Sequence, residues 1–164
     1  MAWVPSTMVH EPYSGYAFAR TSSYDFPNQY VGANLLLDNC IIQRNGFYPV
    51  AALILADGSK IDTLEFNGFA VQDTPQNSHT VAAQLLKIVS GTIGQLVIDA
   101  LDSTNIAAPI SEHGFSSVGS VSGAGVLATN WPFPDASMAN GTPYISANSG
   151  LPSIKVGGVV TPYQ

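Results

Sequence analysis

Histidine, cysteine and the acidic residues are the side chains of this chain that could bind a metal ion. The chain has 164 residues, with three histidines, one cysteine and 11 acidic residues. His10, His79 and His113 lie far apart, without the i, i+4 or Cys-x-x-Cys spacing that places two ligands beside one metal. The sequence therefore predicts no metal site.

Cys40 is the side chain that could act as a thiolate nucleophile, with His79 or His113 as its base. Reactive cysteines lie at a helix N-terminus or beside a cation. Cys40 instead lies in the apolar segment 35–42, and the first basic residue after it is Arg44. We interpret Cys40 as a small apolar core residue. A single cysteine cannot form an internal disulfide and is compatible with synthesis in a reducing compartment.

Motifs of other enzyme classes do not occur in the sequence. It has no Gly-x-Ser-x-Gly elbow, no dinucleotide fingerprint and no phosphate-binding loop. Residues 57–65 contain oxygen ligands for calcium, but the spacing is wrong and Lys60 would repel the ion. None of the three glutamates lies in a context that singles it out as a glycosidase acid. We predict that the chain is not an enzyme and uses no cofactor.

The charge content excludes two classes of partner. Charged residues make up 10% of the chain, against about 25% in ordinary soluble domains. The formal net charge is −6, and the five basic residues are scattered over positions Arg20, Arg44, Lys60, Lys87 and Lys155. Nucleic acid and anionic membranes both require clustered basic residues, so we predict neither as a partner. Uncharged polar surfaces cost less to desolvate, which favours burial against copies of the chain or a partner protein.

Two features bear on membranes and export. The most apolar long window, 81–101, is interrupted by Gln84, Lys87, Gln95 and Asp99, which makes it a poor spanning helix. The first dozen residues have neither a basic segment nor an apolar segment after it, so they predict no secretion signal.

The elements of the fold are clearest over residues 45–71. Turn dipeptides occur at Asn45-Gly46, Asp57-Gly58 and Asn67-Gly68, at the spacing of roughly 8–12 residues found in antiparallel β domains. The run 47–55 between them is apolar on both faces, and 61–66 alternates. This pattern predicts a β-hairpin at the centre of the fold.

Further elements follow the predicted hairpin. Residues 81–89 have one apolar stripe with Gln84 and Lys87 opposite it, which predicts a short helix, with a strand as the alternative. Residues 93–101 alternate as a strand, and short strands are expected near 143–146 and 154–161. We predict a mainly β fold, an antiparallel β-sandwich or barrel-like core with that helix as its single helical element.

The two ends of the chain differ from residues 31–110, the predicted β-rich core domain. Residues 1–30 form a predicted aromatic-rich N-terminal arm, and residues 111–164 a low-charge extended C-terminal arm. Residues 114–154 contain one charged residue, Asp135, and the small side chains over 115–129 supply little apolar bulk. We expect both arms to order against neighbouring subunits. The residues predicted to contact partners are Trp3, Tyr13, Tyr16, Trp131, Phe133 and Tyr144.

These features favour a structural protein of a virus particle. The predicted function is a bacteriophage capsid decoration or cementing protein, or another head or tail accessory, that assembles noncovalently. Its expected partners are copies of itself, as a homo-oligomer, and other capsid or tail proteins. The composition is typical of extracellular proteins, yet the sequence predicts no secretion signal. A protein that is made in the host cytoplasm and released within the virion would have both features. The alternative is a carbohydrate-binding or adhesin-type β domain, whose sugar-stacking aromatics would be Trp3, Tyr13, Tyr16, Trp131 and Tyr144.

Overall fold

Parallel strands make up most of the fold up to residue 122. The computed structural model describes residues 16–21, 33–44, 51–55, 59–73, 83–88, 91–111 and 114–164. The first nine strands are β1 (Tyr16–Thr21), β2 (Ala33–Asp38), β3 (Ile41–Arg44), β4 (Ala51–Leu55), β5 (Ser59–Asp73), β6 (Ala83–Ile88), β7 (Gly91–Asp102), β8 (Ile106–Ser111) and β9 (Val118–Ser122). One sheet has the order β1-β4-β6-β8, and a second has the order β2-β5-β7-β9, with β3 also paired to β5.

From β4 to β9 the chain alternates between these two sheets, so each turn of the chain adds one strand to both. Every pairing within them is parallel. Stacked coils of this kind form a parallel β-solenoid, in which each coil contacts its neighbours along one axis. The coils differ in length, as the number of residues between paired positions shows. The step from Ala51 to its partner Gln84 is longer than the step from Gln84 to its partner Ala108. We call the described residues from 16 to 122 the solenoid.

Like side chains stack on like inside the solenoid. The registers place Leu64 beside Leu96 and Leu96 beside Val121, and all three are buried. A second buried column is formed by Ile61, Ile93 and Val118. Buried residues of both sheets join one hydrophobic core. Each coil buries the inner face of its strands, and the coils differ in length. Apolar residues therefore recur along the sequence without a fixed period.

Residues 123–164, which we call the cap, fold against the end of the solenoid. The cap contains the strands β10 (Pro132–Phe133), β11 (Pro143–Ser146), β12 (Pro152–Val156) and β13 (Val159–Pro162), in that order across one sheet. Three 3-10 helices accompany these strands: Gly114–Ser117 precedes β9, Leu127–Thr129 lies between β9 and β10, and Asp135–Ser137 lies between β10 and β11. The β10–β11 pair is parallel, and the other two pairs are antiparallel.

Backbone contacts fix the cap to the last coils. The Gly125 N–H donates to the Ile98 carbonyl over 2.8 Å, and the Ala139 N–H donates to the Val121 carbonyl over 2.9 Å. Met138 also forms a parallel bridge with Val121. The cap therefore occupies part of the outer edge of β9, the last strand of its sheet.

The mainly β prediction is confirmed, but the predicted antiparallel hairpin over 45–71 is wrong. Strands β4 and β5 lie in different sheets, and each pairs parallel with strands of other coils. The predicted turn at Asn67-Gly68 lies within β5, where Gly68 has a φ of 68° and the register with β7 shifts. The other two turn dipeptides lie outside the described residues. A run that is apolar on both faces is typical of parallel strands.

The helix predicted over 81–89 is also wrong, and the strand alternative is correct. Residues 83–88 form β6, which pairs with β4 and β8. Leu85 and Leu86 are both buried although they are adjacent. A short apolar run fits a buried strand and a helix equally well by period, so tertiary pairing decides its structure.

The C-terminal arm prediction is corrected by the fold of residues 114–164, which do not extend away from the core. Val126, Phe133 and Tyr144 join the same buried core as the solenoid. The strand expected over 143–146 coincides with β11, and the one near 154–161 is a two-stranded hairpin. Of the N-terminal arm over 1–30, the described part is β1, and the rest lies outside the described residues.

Candidate functional site

The described residues assemble no group of three or more His, Cys, Asp or Glu side chains that could hold a metal ion. All three histidines lie outside the described residues. Cys40 is half-buried, packs against the core and donates its S–H to the Asp38 carbonyl over 3.4 Å. Burial and the nearby Asp38 carboxylate raise the pKa of the Cys40 thiol. This favours the protonated thiol over the nucleophilic thiolate.

Three of the predicted partner-contact aromatics lie in the core. Trp131 is 7% exposed, and Phe133 and Tyr144 are fully buried. The Phe133 ring meets Phe115 edge to face, with the ring centroids 5.5 Å apart. These three side chains hold the cap together and present no aromatic face to a partner, which corrects the prediction for them. A neighbouring proline and a low local charge do not indicate exposure.

The remaining predicted contact residues lie at the N-terminal end. Tyr16 begins β1, and its backbone pairs with Ala51. Trp3 and Tyr13 lie outside the described residues. Their proposed contacts with a partner stay predictions.

Asp135 joins three elements of the cap. Its carboxylate accepts the Tyr144 hydroxyl over 2.9 Å and the Asn148 side-chain amide over 2.7 Å. Hydrogen bonding to the Ser146 hydroxyl is the main cause that lowers the pKa of Asp135, with smaller contributions from Tyr144, Asn148 and the Lys155 charge. Burial and the bond to Asp135 raise the pKa of Tyr144 to about 12. Every group of this cluster is engaged in holding the cap, so we assign it a structural role.

A tight hairpin lies beyond this cluster. Gly157 and Gly158 have φ values of 56° and 83°, the left-handed pair that a two-residue turn between antiparallel strands requires. The turn pairs Val156 with Val159 and Ile154 with Thr161. Because side chains alternate along a strand, the register settles which residues share a face.

The two faces of the β12–β13 hairpin differ in burial along β12, whereas β13 is exposed on both faces. On the inner face, Ser153 is buried, and the Lys155 ammonium donates to the carbonyls of Asp135 and Met138 over 3.2 and 3.3 Å. The other face, which we call the hairpin face, is made of Pro152, Ile154, Val156, Val159, Thr161 and Tyr163. Val156 is 59% exposed, Val159 63% and Tyr163 42%. An apolar β face therefore points outward.

Exposed apolar bulk is concentrated in this part of the molecule. Seven large apolar side chains of the described chain are exposed, and five of them lie between Leu151 and Tyr163. The other two, Leu36 and Ile41, lie on β2 and β3 of the solenoid. Segment 156–164 carries no charged side chain, although the chain as a whole is acidic. Three of the five, Val156, Val159 and Tyr163, lie on the hairpin face, and exposed apolar patches are typical of interaction sites.

The outer edge of β13 offers little to an added strand. The Tyr163 N–H donates to the Pro152 carbonyl over 3.0 Å, so in the alternating antiparallel pattern Thr161 and Val159 also direct their N–H groups toward β12. The backbone N–H and C=O groups of positions 160 and 162 then face the open edge. Position 162 is a proline, which has no N–H to donate. Prolines on edge strands protect against strand addition. A partner would therefore contact the side chains of the hairpin face.

Sequence reasoning missed the hairpin face, although a signal for it existed. A Gly-Gly dipeptide between two short β-branched runs indicates a hairpin, and here it joins residues 152–156 to 159–162. Which face would be left uncovered depended on the position of Lys155 relative to Asp135, a contact across 20 residues of chain.

Among the described residues, none of the helices has the length and apolar character needed to cross a bilayer. Comparison of the chain with protein-family models, with curated proteins and with solved structures found no match.

Proposed function

We propose that the chain is a structural component of a virus particle, a bacteriophage head or tail accessory that acts by noncovalent assembly and not by catalysis. The observation that carries the proposal is the hairpin face, an outward apolar surface without charge on an acidic chain. Its supporting context is a fold of stacked coils, which is stiff along one axis and holds the cap in a fixed place.

Low charge supports the same proposal from the composition. An assembled surface must lose its water, and uncharged side chains lose it at a lower free-energy cost than charged ones. A particle also presents many copies of each subunit, so weak contacts add up to firm attachment. Capsid decoration, cementing and tail attachment all use this principle.

The sugar-binding alternative receives less support. Two of its five stacking aromatics, Trp131 and Tyr144, are buried inside the cap. The aromatic on the hairpin face is Tyr163, a single ring beside aliphatic side chains. No specific observation favours a carbohydrate site over an assembly surface.

Localisation tests the proposal. We expect peptides of the cap to co-sediment with particles from the producing culture in a density gradient. Gold-labelled antibody against the full chain should mark repeated positions on those particles in electron micrographs. Recovery of the chain solely from particle-free fractions would contradict the proposal.

A further inference from the structure

The hairpin face breaks the usual rule for antiparallel sheets that cover a core on one side. The solvent side of such a sheet carries polar residues. Here the side toward the cap carries Ser153 and Lys155 on β12 and the exposed Val160 and Pro162 on β13, whereas Val156 and Val159 point outward. The polar residues of the inner side are satisfied within the cap, as the two Lys155 hydrogen bonds show. Along β12 the outward side is the side that lacks a covering layer, and β13 is exposed on both sides.

We propose that a second copy of this chain covers this surface, with the hairpin faces of two copies packed against each other. This inference rests on the proposed function in that it names the partner of the assembly surface. The contact is isologous, because the same patch serves on both copies.

Charge supports an identical partner. Two copies of a chain with net charge −6 repel each other, and the repulsion is least where the meeting surfaces carry no charge. The hairpin face has no ionisable side chain except the Tyr163 phenol, and the Lys155 ammonium is turned toward the cap. A basic partner would find no carboxylate on this face, and an acidic one would find no cation.

Shape also supports an identical partner. Ile154, Val156, Val159 and Thr161 share one face of the hairpin, and β faces can pack on one another about 10 Å apart with their strands nearly aligned. The Thr161 hydroxyl donates to the Ile154 carbonyl over 3.3 Å, so its burial would leave no unpaired donor. Pro162 on the open edge disfavours the other symmetric arrangement, in which two β13 strands would extend one sheet.

Size sets the expected strength. A patch of this kind exposes roughly 300–600 Å², whereas a stable complex buries about 800 Å² on each partner. The isolated pair should therefore associate reversibly, with a Kd weaker than about 1 μM. On a particle, the high local concentration of copies would make the same contact permanent.

Sedimentation velocity on the full chain tests the inference over concentrations from about 1 μM to 1 mM, a range chosen to bracket that affinity. We expect the average mass to rise with concentration toward that of a dimer. The Val159→Asp variant should weaken this association at least about tenfold, because it places a carboxylate in the apolar contact.

Matched variants separate the contact from general effects. Ile41→Asp introduces the same change at a similarly exposed apolar residue, 57% exposed on β3, and should associate like the parent chain. Val159→Thr keeps shape and adds one hydroxyl, so it should fold normally and weaken association by a smaller factor. Tryptophan fluorescence confirms that each variant is folded.

Three results would overturn the inference: a parent chain that is monomeric up to the highest concentration, equal association in Val159→Asp, or equal loss in Ile41→Asp. The outcome is independent of the localisation test. A chain found on particles but monomeric in solution contradicts self-docking alone, whereas a dimer missing from particles contradicts the proposed function alone.

Discussion

Asp135 links the stability of the cap to acid. Its carboxylate binds hydroxyl and amide donors from residues that follow it in β11 and in the loop after β11. Because Ser146, Tyr144 and Asn148 all donate to the charged form, the pKa of Asp135 in the folded protein lies below its ordinary value of 3.8. The ionised carboxylate is therefore the form that holds the cap.

The expected result is a loss of stability in acid. The contribution of Asp135 is fully present above about pH 4 and is lost as the pH falls through the lowered pKa of the folded state. Asp135→Asn should have a lower urea midpoint at pH 6, and the difference from the parent chain should shrink toward pH 2. Urea titrations at a series of pH values measure this.

Asp102 provides the comparison for that series. Its carboxylate accepts the Thr104 N–H over 3.0 Å, and hydrogen bonds from Thr104 lower the pKa of Asp102. Asp102→Asn should therefore not change the part of the pH dependence of stability that comes from Asp135. An Asp135→Asn difference that stays constant down to pH 2 would contradict the assigned role.

At the scale of single residues, the sequence predicted burial correctly for some side chains and wrongly for others. Cys40 was interpreted as an apolar core residue, and it packs against the core in a half-buried position. Trp131, Phe133 and Tyr144 were expected at a surface because their surroundings are rich in proline and poor in charge. Burial of these rings depends on the solenoid end and the cap meeting in space, which no local pattern encodes.

Two glycines let neighbouring coils approach each other at one level of the stack. A side chain on Gly94 would place its Cβ 2.7 Å from the Asp62 carbonyl oxygen of the coil before it. A Cβ on Gly119 would lie 2.6 Å from the Gly94 carbonyl oxygen in turn. The obstacle is backbone in both cases, so the coils would have to separate.

We expect Gly94→Ala to lower the free energy of unfolding by about 1–3 kcal/mol, the usual effect of overpacking. Urea denaturation followed by circular dichroism measures it. Ala100→Ser changes a side chain of similar size at an exposed position of the same strand, and it should have little effect. Equal stability of Gly94→Ala and the parent chain would show that the coils can part without cost.

Strands were easier to predict than their partners. The segment expected over 93–101 lies within β7, and the one over 143–146 coincides with β11. The pairing of β5 with β7 joins residues that are far apart in sequence, such as Leu64 and Leu96. Because the coils have unequal lengths, no repeat marks the period in the sequence, and the turn signals favoured a local hairpin instead.

The solenoid and the cap share one hydrophobic core, which makes the whole described molecule a single folding unit. Phe133 from the cap is fully buried and meets Phe115, which lies just before β9. Val121 of the last coil belongs to the same buried set. Loss of packing in the cap should therefore also destabilise the solenoid.

We expect Phe133→Ala to destabilise the whole chain by about 3–5 kcal/mol. In a Trp3→Phe background, Trp131 is the sole tryptophan and reports on the cap, while far-ultraviolet circular dichroism reports mainly on the solenoid strands. The two signals should change together in urea. Leu151→Ala, at an exposed side chain of the cap, is the control. Cap fluorescence lost well before the circular dichroism signal would contradict a shared core.

The bridge between Met138 and Val121 has a consequence for the direction in which these molecules can associate. The last strand of a stack of parallel strands is a ready template for another chain, and fibrils grow by that route. Here the chain returns over its own final coil, where the Ala139 N–H donates to the Val121 carbonyl. Addition of another strand beside β9 is therefore hindered where the cap covers its edge.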